Sequence, residues 1–156
     1  VERARKLYTM GTMIDQPLIF RVRQKLDSPV LADIPGEVEA QLSGLSLGTK
    51  VQPGQTVAIT LKNIGALPKE AMGHNVVILK PGTDIIKFAI GGIANKAGGY
   101  LPTEASLAAQ IVANTKILGP KEEETIVFKA DAAGDYPYLC TFPGHFGVMK
   151  GVIKVK

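Results

Sequence analysis

Short runs of alternating hydrophobic and polar residues, separated by turn residues, predict a chain built mainly from β-strands. Residues 55–62 alternate at period two, as a half-buried strand does, and residues 18–24 alternate weakly. Residues 74–80 are apolar enough for a strand that is buried on both faces. Further strands are expected at residues 38–42, 111–118, 125–129, 134–140 and 148–155.

Turn residues and one helical pattern complete this prediction. Pro53-Gly54, Pro81-Gly82 and Gly119-Pro120 separate strands, and a Ser/Gly-rich turn is expected after Leu42. One helix is predicted from Thr83 to about Ala97, with a short helical turn or loop at 101–110. Its N-cap would be Thr83 or Asp84, its apolar stripe Ile85, Phe88, Ala89 and Ile93, and its end Gly98-Gly99. The fold class is therefore all-β, a sandwich or barrel with one inserted helix.

The chain of 156 residues suits one domain, which we place at residues 37–156, preceded by an N-terminal extension at 1–36. No apolar run approaches the roughly 20 residues that span a bilayer. The net charge is +4, and much of it lies in the extension, which we interpret as a solvated segment. The basic residues are not interleaved with aromatic residues, so nucleic-acid binding is not expected. Val1 at the start suggests a trimmed chain, from which a signal or an anchor could have been removed.

The candidate chemistry lies in a ten-residue stretch near the C-terminus. Cys140, His145 and Met149 place a thiolate, an imidazole and a thioether within it, and His74 offers a second imidazole. Soft sulfur donors with imidazole select copper, and one Cys, two His and a weak axial Met are typical of a blue-copper electron-transfer site. These ligands use the only Cys and both His of the chain. The turn at Pro143-Gly144 lets one loop direct its three donors to one point.

The same residues are open to other interpretations. Taken singly, Cys140 would be a buried hydrophobe, His74 a core histidine and Met149 core filling. A Cys/His nucleophile lacks the sequence signature of a cysteine protease, and zinc is disfavoured because a thioether is a poor zinc ligand. A multicopper enzyme would need further ligands, yet Leu139 and Thr141 flank Cys140 and no third His exists. A copper storage or delivery module is the remaining alternative to an electron carrier.

Two motifs resemble those of azurin and the azurin-like auracyanins, which are blue (type 1) copper proteins of the cupredoxin family. They are Met72-Gly73-His74-Asn75 and Cys140-Thr141-Phe142-Pro143-Gly144-His145 followed by Met149, and the flanking residues 67–71, 100–102 and 114–119 are similar too. The resemblance covers residues 37–156. It implies a Greek-key β-sandwich with a short helical flap between strands.

The resemblance also implies a role for each site residue. Cys140, His74 and His145 would be equatorial copper ligands, Met149 a distant axial ligand and the carbonyl of Gly73 a weak fifth contact. The side chain of Asn75 would tie the two ligand segments together by hydrogen bonds, and the backbone N–H of Phe142 would point at the sulfur of Cys140. Such bonds tune the reduction potential.

By the same resemblance, the protein would be an electron carrier and not an enzyme. One type 1 copper per chain would cycle between Cu(II) and Cu(I), and His145 would be the route for electrons. Redox partners such as cytochromes or a terminal oxidase, in a respiratory or photosynthetic chain, would dock near His145. An apolar patch of Leu67, Met72, Pro143, Gly144 and Phe146 could receive them, although core packing explains Leu67 and Phe146 equally well. The expected location is the periplasm or another extracytoplasmic space, with residues 1–36 as a membrane tether or docking arm.

Overall fold

The computed structural model describes the backbone of residues 18–25, 37–39 and 43–46, and residues 51–63 and 65–156 in full. Nine strands and three short helices lie within these ranges. The strands are β1 (Leu18–Lys25), β2 (Glu37–Glu39), β3 (Ser43–Ser46), β4 (Gln55–Asn63), β5 (Val77–Leu79), β6 (Ile111–Asn114), β7 (Glu123–Ala130), β8 (Gly134–Leu139) and β9 (Lys150–Val155). The helices are α1 (Lys69–Met72), α2 (Ile85–Gly92) and α3 (Ala105–Ala108). None of the helices in the described ranges is long and apolar enough to cross a membrane.

The strands form two sheets, in the orders β2-β1-β4-β7 and β3-β9-β8-β5-β6. Strand β1 pairs antiparallel with β4 along its whole length, from Leu18 opposite Asn63 to Lys25 opposite Thr56. The strand predicted inside the extension is therefore present and belongs to a sheet. Residues 1–17 and 26–36 lie outside the described residues, so a tether or docking arm there remains a prediction.

The main hydrophobic core lies between the two sheets, as the prediction of an all-β sandwich requires. Strand β7 shows the expected alternation, with Ile126, Phe128 and Ala130 buried and the residues between them exposed. Opposite them, β8 and β9 contribute Tyr136, Tyr138, Ile153 and Val155 to the same cluster. Inward side chains from both sheets thus form one core.

Strand β4 is more deeply buried than its alternation predicts. The prediction was a half-buried strand, but every residue from 57 to 61 is buried. The strand lies inside its sheet, between β1 and β7. On the face predicted to be polar, the Thr60 hydroxyl lies 2.8 Å from the Thr125 hydroxyl of β7. A hydroxyl can be buried here because this hydrogen bond satisfies it.

Four predicted boundaries differ from the structure because pairing between distant segments decides them. The Ser/Gly-rich segment predicted as a turn contains β3, which pairs parallel to β9. The strand predicted at 74–80 is regular only over Val77–Leu79, and the one predicted at 111–118 ends at Asn114. Outside these regular strands, His74 before β5 and Leu118 after β6 still form an isolated antiparallel bridge. Strand β8 ends at Leu139, so Cys140 begins the loop that follows.

The predicted helical flap is the segment at residues 83–110. It begins with helix α2, whose N-cap is Asp84. The Asp84 carboxylate accepts the backbone N–H groups of Ile86 and Lys87, each at 3.0 Å. The helix ends at Gly92, earlier than the predicted end near Ala97. A Cβ on Gly92 would lie 2.0 Å from the carbonyl oxygen of Tyr100, so the returning chain crosses the helix closely here.

The flap covers the outer face of the second sheet with a smaller hydrophobic cluster. Phe88 and Ala89 of α2 and Leu107 of α3 pack on Val77, Leu79 and Leu139 of β5 and β8. The short helical turn expected within residues 101–110 is therefore confirmed as α3. Ile93 was predicted in the buried stripe, and that was wrong, since it is 44% exposed beyond the early end of the helix.

Candidate metal centre

A backbone bridge positions His74 just before β5. Its N–H donates to the carbonyl of Leu118 at 3.1 Å, and the N–H of Leu118 donates back at 2.6 Å. The preceding residue must be glycine, because a Cβ on Gly73 would lie 2.4 Å from a methyl group of Ile117 and 2.6 Å from the carbonyl of Lys69. Helix α1 and the 117–118 segment thus pack tightly around the chain that carries His74.

The second donor segment, residues 140–149, is a closed loop between β8 and β9, and we call it the ligand loop. Its ends are joined by the N–H of Cys140, which donates to the carbonyl of Met149 at 2.9 Å. Within it, His145 donates to the carbonyl of Phe142 at 3.0 Å, and Met149 donates to the carbonyl of His145 at 2.8 Å. Gly144 has a φ of 82°, which favours glycine at this turn. The loop therefore folds back on itself as its sequence predicts.

The structure brings the three predicted strong donors together. One ligand atom each from His74, Cys140 and His145 all lie within 4.8 Å of one another. The Cys140 sulfur is 3.6 Å from Nδ1 of His145, and the two imidazole rings stack at 4.8 Å between centroids. All three residues are buried, His145 least so at 6% exposure. Met149 is fully buried in the same core cluster as Cys140.

Burial sets the protonation of these groups in the metal-free protein. It lowers the pKa of His74 to about 3, with a smaller lowering from nearby His145, and lowers the pKa of His145 to about 4. Both imidazoles are therefore neutral at pH 7 and keep a lone pair for a metal. Burial raises the pKa of the Cys140 thiol to about 11, so a metal must displace its proton.

Two backbone groups and one side chain organise the surroundings of Cys140. Backbone hydrogen bonds from Asn75 and Phe142 oppose the rise of the Cys140 pKa, which confirms the expected N–H of Phe142 and adds one from Asn75. The Asn75 amide donates to the Thr141 hydroxyl and accepts the Thr141 N–H, each at 2.8 Å. The predicted tie between the two ligand segments is therefore confirmed.

Sequence reasoning missed the part played by Thr141. It was considered only as a neighbour of Cys140, but its buried hydroxyl also donates to the carbonyl of Gly99 at 3.1 Å. The flap segment after α2 is thereby joined to the ligand loop. A hydroxyl residue directly after the only cysteine was the available signal, since a buried hydroxyl needs partners.

The residues present fit a soft metal ion. Both ring nitrogens of His74 are buried and, among the described residues, have no hydrogen-bond partner. A buried nitrogen without a partner is costly, and a metal bound at one of these nitrogens would satisfy that one. A thiol and two imidazoles in one buried cluster are the donors that copper prefers.

A β-sandwich with one thiol and two imidazoles at the end of a strand pair defines a mononuclear copper-binding protein. The chain belongs to the plastocyanin/azurin family of copper-binding proteins, whose model matches residues 46–156. It is 36% identical over 105 residues to an azurin of Pseudomonas fluorescens biotype A, a match that covers 65% of this chain and 80% of that one. The azurin-1 of Alcaligenes xylosoxydans xylosoxydans is 37% identical over 100 residues, covering 62% and 75%.

Solved structures agree with this family assignment. Auracyanin from the photosynthetic bacterium Roseiflexus castenholzii has 35% identity and a TM-score of 0.57, covering 74% of this chain and 89% of that one. Auracyanin A, a blue copper protein of Chloroflexus aurantiacus, has 34% identity and a TM-score of 0.60, covering 73% and 85%. The predicted azurin- and auracyanin-like cupredoxin fold is thus confirmed. The protein is a one-electron carrier with one type 1 copper per chain.

Proposed function

We propose that His74, Cys140 and His145 are the equatorial copper ligands, that Met149 is the axial ligand and that the Gly73 carbonyl is a weak further contact. The observation that carries this proposal is the convergence of three buried donor atoms within 4.8 Å, with both nitrogens of His74 otherwise unpartnered. Met149 supports it through its burial beside Cys140. The tight packing around Gly73 supports a fixed position for its backbone.

The protein's own groups hold this donor set rigid and dry. When bound, copper supplies a Cu(II)/Cu(I) couple that takes up and releases one electron. The N–H groups of Asn75 and Phe142 hold the Cys140 sulfur, and the Asn75–Thr141 hydrogen bonds hold the two segments in register. Buried donors on hydrogen-bonded backbone move little between two oxidation states, and this favours fast electron transfer.

We further propose that this electron carrier is not an enzyme. Cys140 and His74 are fully buried, so no substrate reaches them directly. The same burial argues against copper storage or delivery, because exchange needs accessible ligands. Copper that exchanges rapidly, without reversible redox cycling, would favour that alternative over electron transfer.

Partner docking is proposed near His145, which is the slightly exposed donor. Leu67 is 42% exposed, and Pro143 and Gly144 are exposed beside the imidazole. Of the other residues expected in this patch, Met72 and Phe146 are only half-buried, and Phe146 also packs on the flap cluster. We propose cytochromes or a terminal oxidase of a respiratory or photosynthetic chain as partners, supported by the auracyanin of a photosynthetic bacterium.

The compartment follows as a further part of the proposal. We place the protein outside the cytoplasm, in the periplasm or an equivalent space, with the residues before β1 as a tether to the membrane. Hydrogen exchange of the full chain tests the tether. Rapid exchange before β1 is expected, and strong protection there would contradict it.

Optical and electron paramagnetic resonance spectra of the copper-loaded protein test the ligand set. We expect an intense blue absorption, one copper per chain and reversible one-electron cycling. Cys140→Ser should abolish the blue colour, whereas the matched control Val148→Ser, on an exposed residue of the same loop, should keep it. A colourless copper-loaded wild type, or more than one copper per chain, would contradict the proposal.

A further inference from the structure

A cleft of about 510 Å³ lies beside the metal centre, and none of the three donor residues lines it. Its walls come from α1, from the segment that follows α2, from the segment after β6 and from β7. Its charged lining residues are Lys69, Lys96, Lys116 and Glu124. Three lysines and one glutamate line the cleft, so the lining carries a net positive charge that attracts negative charge.

The two carboxylates near this cleft have hydrogen-bond partners, and Glu122 offsets the charge of Lys69, so the excess positive charge comes from Lys96 and Lys116. Glu122 accepts the ammonium group of Lys69 at 3.2 Å and the N–H of Gly119 at 2.6 Å, and these bonds lower its pKa. Glu124 accepts the backbone N–H of Lys116 at 2.8 Å. Among the described residues, no carboxylate lies within 4.0 Å of the ammonium groups of Lys96 and Lys116. Both of these lysines are exposed and can pair with an incoming anion.

The cleft adjoins both segments that carry the donors. The carbonyl of Gly99 in its lining accepts the hydroxyl of Thr141, the neighbour of Cys140. Ile117, also in the lining, is the residue whose methyl group lies against Gly73, the neighbour of His74. A charged group bound at this cleft would therefore stand close to the redox centre.

We propose that this cleft is a docking site for acidic side chains of a protein redox partner. This rests on the proposed electron-transfer function and adds to the apolar patch a charged contact that directs the partner. Lys96 and Lys116 would pair with carboxylates of the partner at the edge of its interface. Charges in such positions act mainly on the association rate and make it depend on salt.

The test measures electron transfer by stopped flow between the copper-loaded full chain and c-type cytochromes of opposite net charge. The haem iron is oxidised from Fe(II) to Fe(III) as Cu(II) is reduced to Cu(I), and loss of blue absorbance reports the rate. With the acidic cytochrome, we expect the second-order rate constant to fall as salt rises. The double variant Lys96→Glu/Lys116→Glu should lower it at low salt by roughly 10-fold and remove its salt dependence.

The matched control is Lys80→Glu/Lys156→Glu, which changes the net charge equally on two exposed lysines that follow β5 and β9, outside the cleft. It should change the rate by less than about 2-fold. Equal effects of the two double variants would overturn the proposal, because net charge alone would explain them. Hexacyanoferrate, a small anionic redox reagent, is tested in the same way. If the cleft variants change its rate constant but not that of the acidic cytochrome, the cleft binds small anions only and the proposal is overturned.

The two proposals fail in different ways. If the wild type is not blue or transfers no electron at any salt concentration, the ligand assignment and the electron-transfer function fail. If it is blue and active but the cleft variants react as the wild type does, only the docking site fails. The basic cytochrome gives an internal check, since its rate should rise in the cleft variants at low salt.

Discussion

The ligand loop and the helical flap at residues 83–110 lie against the same sheet, but different forces hold them. In the ligand loop, backbone hydrogen bonds close the chain, and Asn75 and Thr141 satisfy each other's buried polar groups. The flap is held mainly by Phe88, Ala89 and Leu107, which pack on β5 and β8. On its outer side, large aliphatic residues remain in solvent. The stability of the ligand loop thus depends on the geometry of its hydrogen bonds, and the stability of the flap depends on the apolar area that it buries.

This difference predicts how each region responds to mutation. Hydrogen bonds have strict geometry, so one lost partner leaves another buried group unsatisfied. Apolar contacts are non-directional and scale with buried area, so flap variants should lose stability while the metal centre keeps its geometry.

The largest loss of stability is expected from Phe88→Ala in the flap. Phe88 is fully buried on the second sheet, and removal of such a ring costs about 3–5 kcal/mol. Urea unfolding of the metal-free protein measures this loss. Because no hydrogen bond of the ligand loop is touched, the blue absorption maximum of the copper-loaded variant should stay in place.

Phe88→Leu is the control for this prediction. It keeps an apolar side chain of nearly the same size and should cost less than about 1.5 kcal/mol. A shift of the absorption maximum in Phe88→Ala, without a shift in Phe88→Leu, would show that flap packing also sets the copper geometry. The proposed separation of the two regions would then be wrong.

Acid is expected to destabilise the metal-free protein through His145 of the ligand loop and His74 of the segment before β5. The folded metal-free protein holds His74 and His145 neutral, with pKa values of about 3 and about 4. Between those values and the ordinary pKa near 6.5, the unfolded chain binds more protons, so stability falls as pH falls. From pH 7 to pH 5 the metal-free protein should lose about 2–4 kcal/mol.

Urea unfolding at pH 7 and pH 5 measures this slope, and a double variant identifies its source. His74→Gln/His145→Gln removes both titrating groups, so most of the loss between these pH values should disappear. If the slope persists in the double variant, other groups cause it and the neutral histidines do not. Phe88→Ala should keep the wild-type slope, since it changes burial elsewhere.

The next effect tests the hydrogen bonds that join the two donor segments. Asn75→Ala leaves the buried N–H of Thr141 without its acceptor, at a cost of about 1–3 kcal/mol. In contrast to Phe88→Ala, it should also shift the blue absorption maximum, because Asn75 and Thr141 adjoin the two donors His74 and Cys140. Spectra and urea unfolding of the same preparation give both readings.

Thr141→Val is the comparison for this prediction. It removes the hydroxyl bonds to Asn75 and Gly99 but leaves the Thr141 N–H bonded to the Asn75 side chain. It leaves the buried Asn75 amide N–H without an acceptor, so its cost should be similar to that of Asn75→Ala, about 1–3 kcal/mol. A clearly greater cost would mean that the lost bond to Gly99 adds to the lost bond between the donor segments.

The donor set could be predicted residue by residue because the sequence leaves few choices. A type 1 copper site needs one thiolate and two imidazoles, and the chain has only Cys140, His74 and His145 to offer. The turn at Gly144 is likewise encoded locally. The hydroxyl of Thr141 signals that a partner is needed, but no local pattern identifies that partner as the carbonyl of Gly99, 42 residues away.

The flap and the strand ends were less predictable because contacts between distant segments set their boundaries. Helix α2 stops at Gly92 because the backbone of Tyr100 returns against it, and no local pattern encodes that contact. Strand β3 exists because β9 offers a parallel edge, although its own residues favour a turn. Alternation along β7 was reliable, because one face meets the core and the other meets solvent.

The smallest effect is expected on the outer side of the flap. Ile86 and Ile90 are 56% and 59% exposed and lie one helical turn apart on α2. Ile86→Ala and Ile90→Ala should each change the unfolding free energy by no more than about 0.5 kcal/mol, as exposed substitutions usually do. Urea unfolding measures these variants together with Phe88→Ala, so that exposed and buried side chains of one helix are compared. A loss of 2 kcal/mol or more, on the order of a buried deletion, would show that these side chains are covered, and the flap would then be held on both sides.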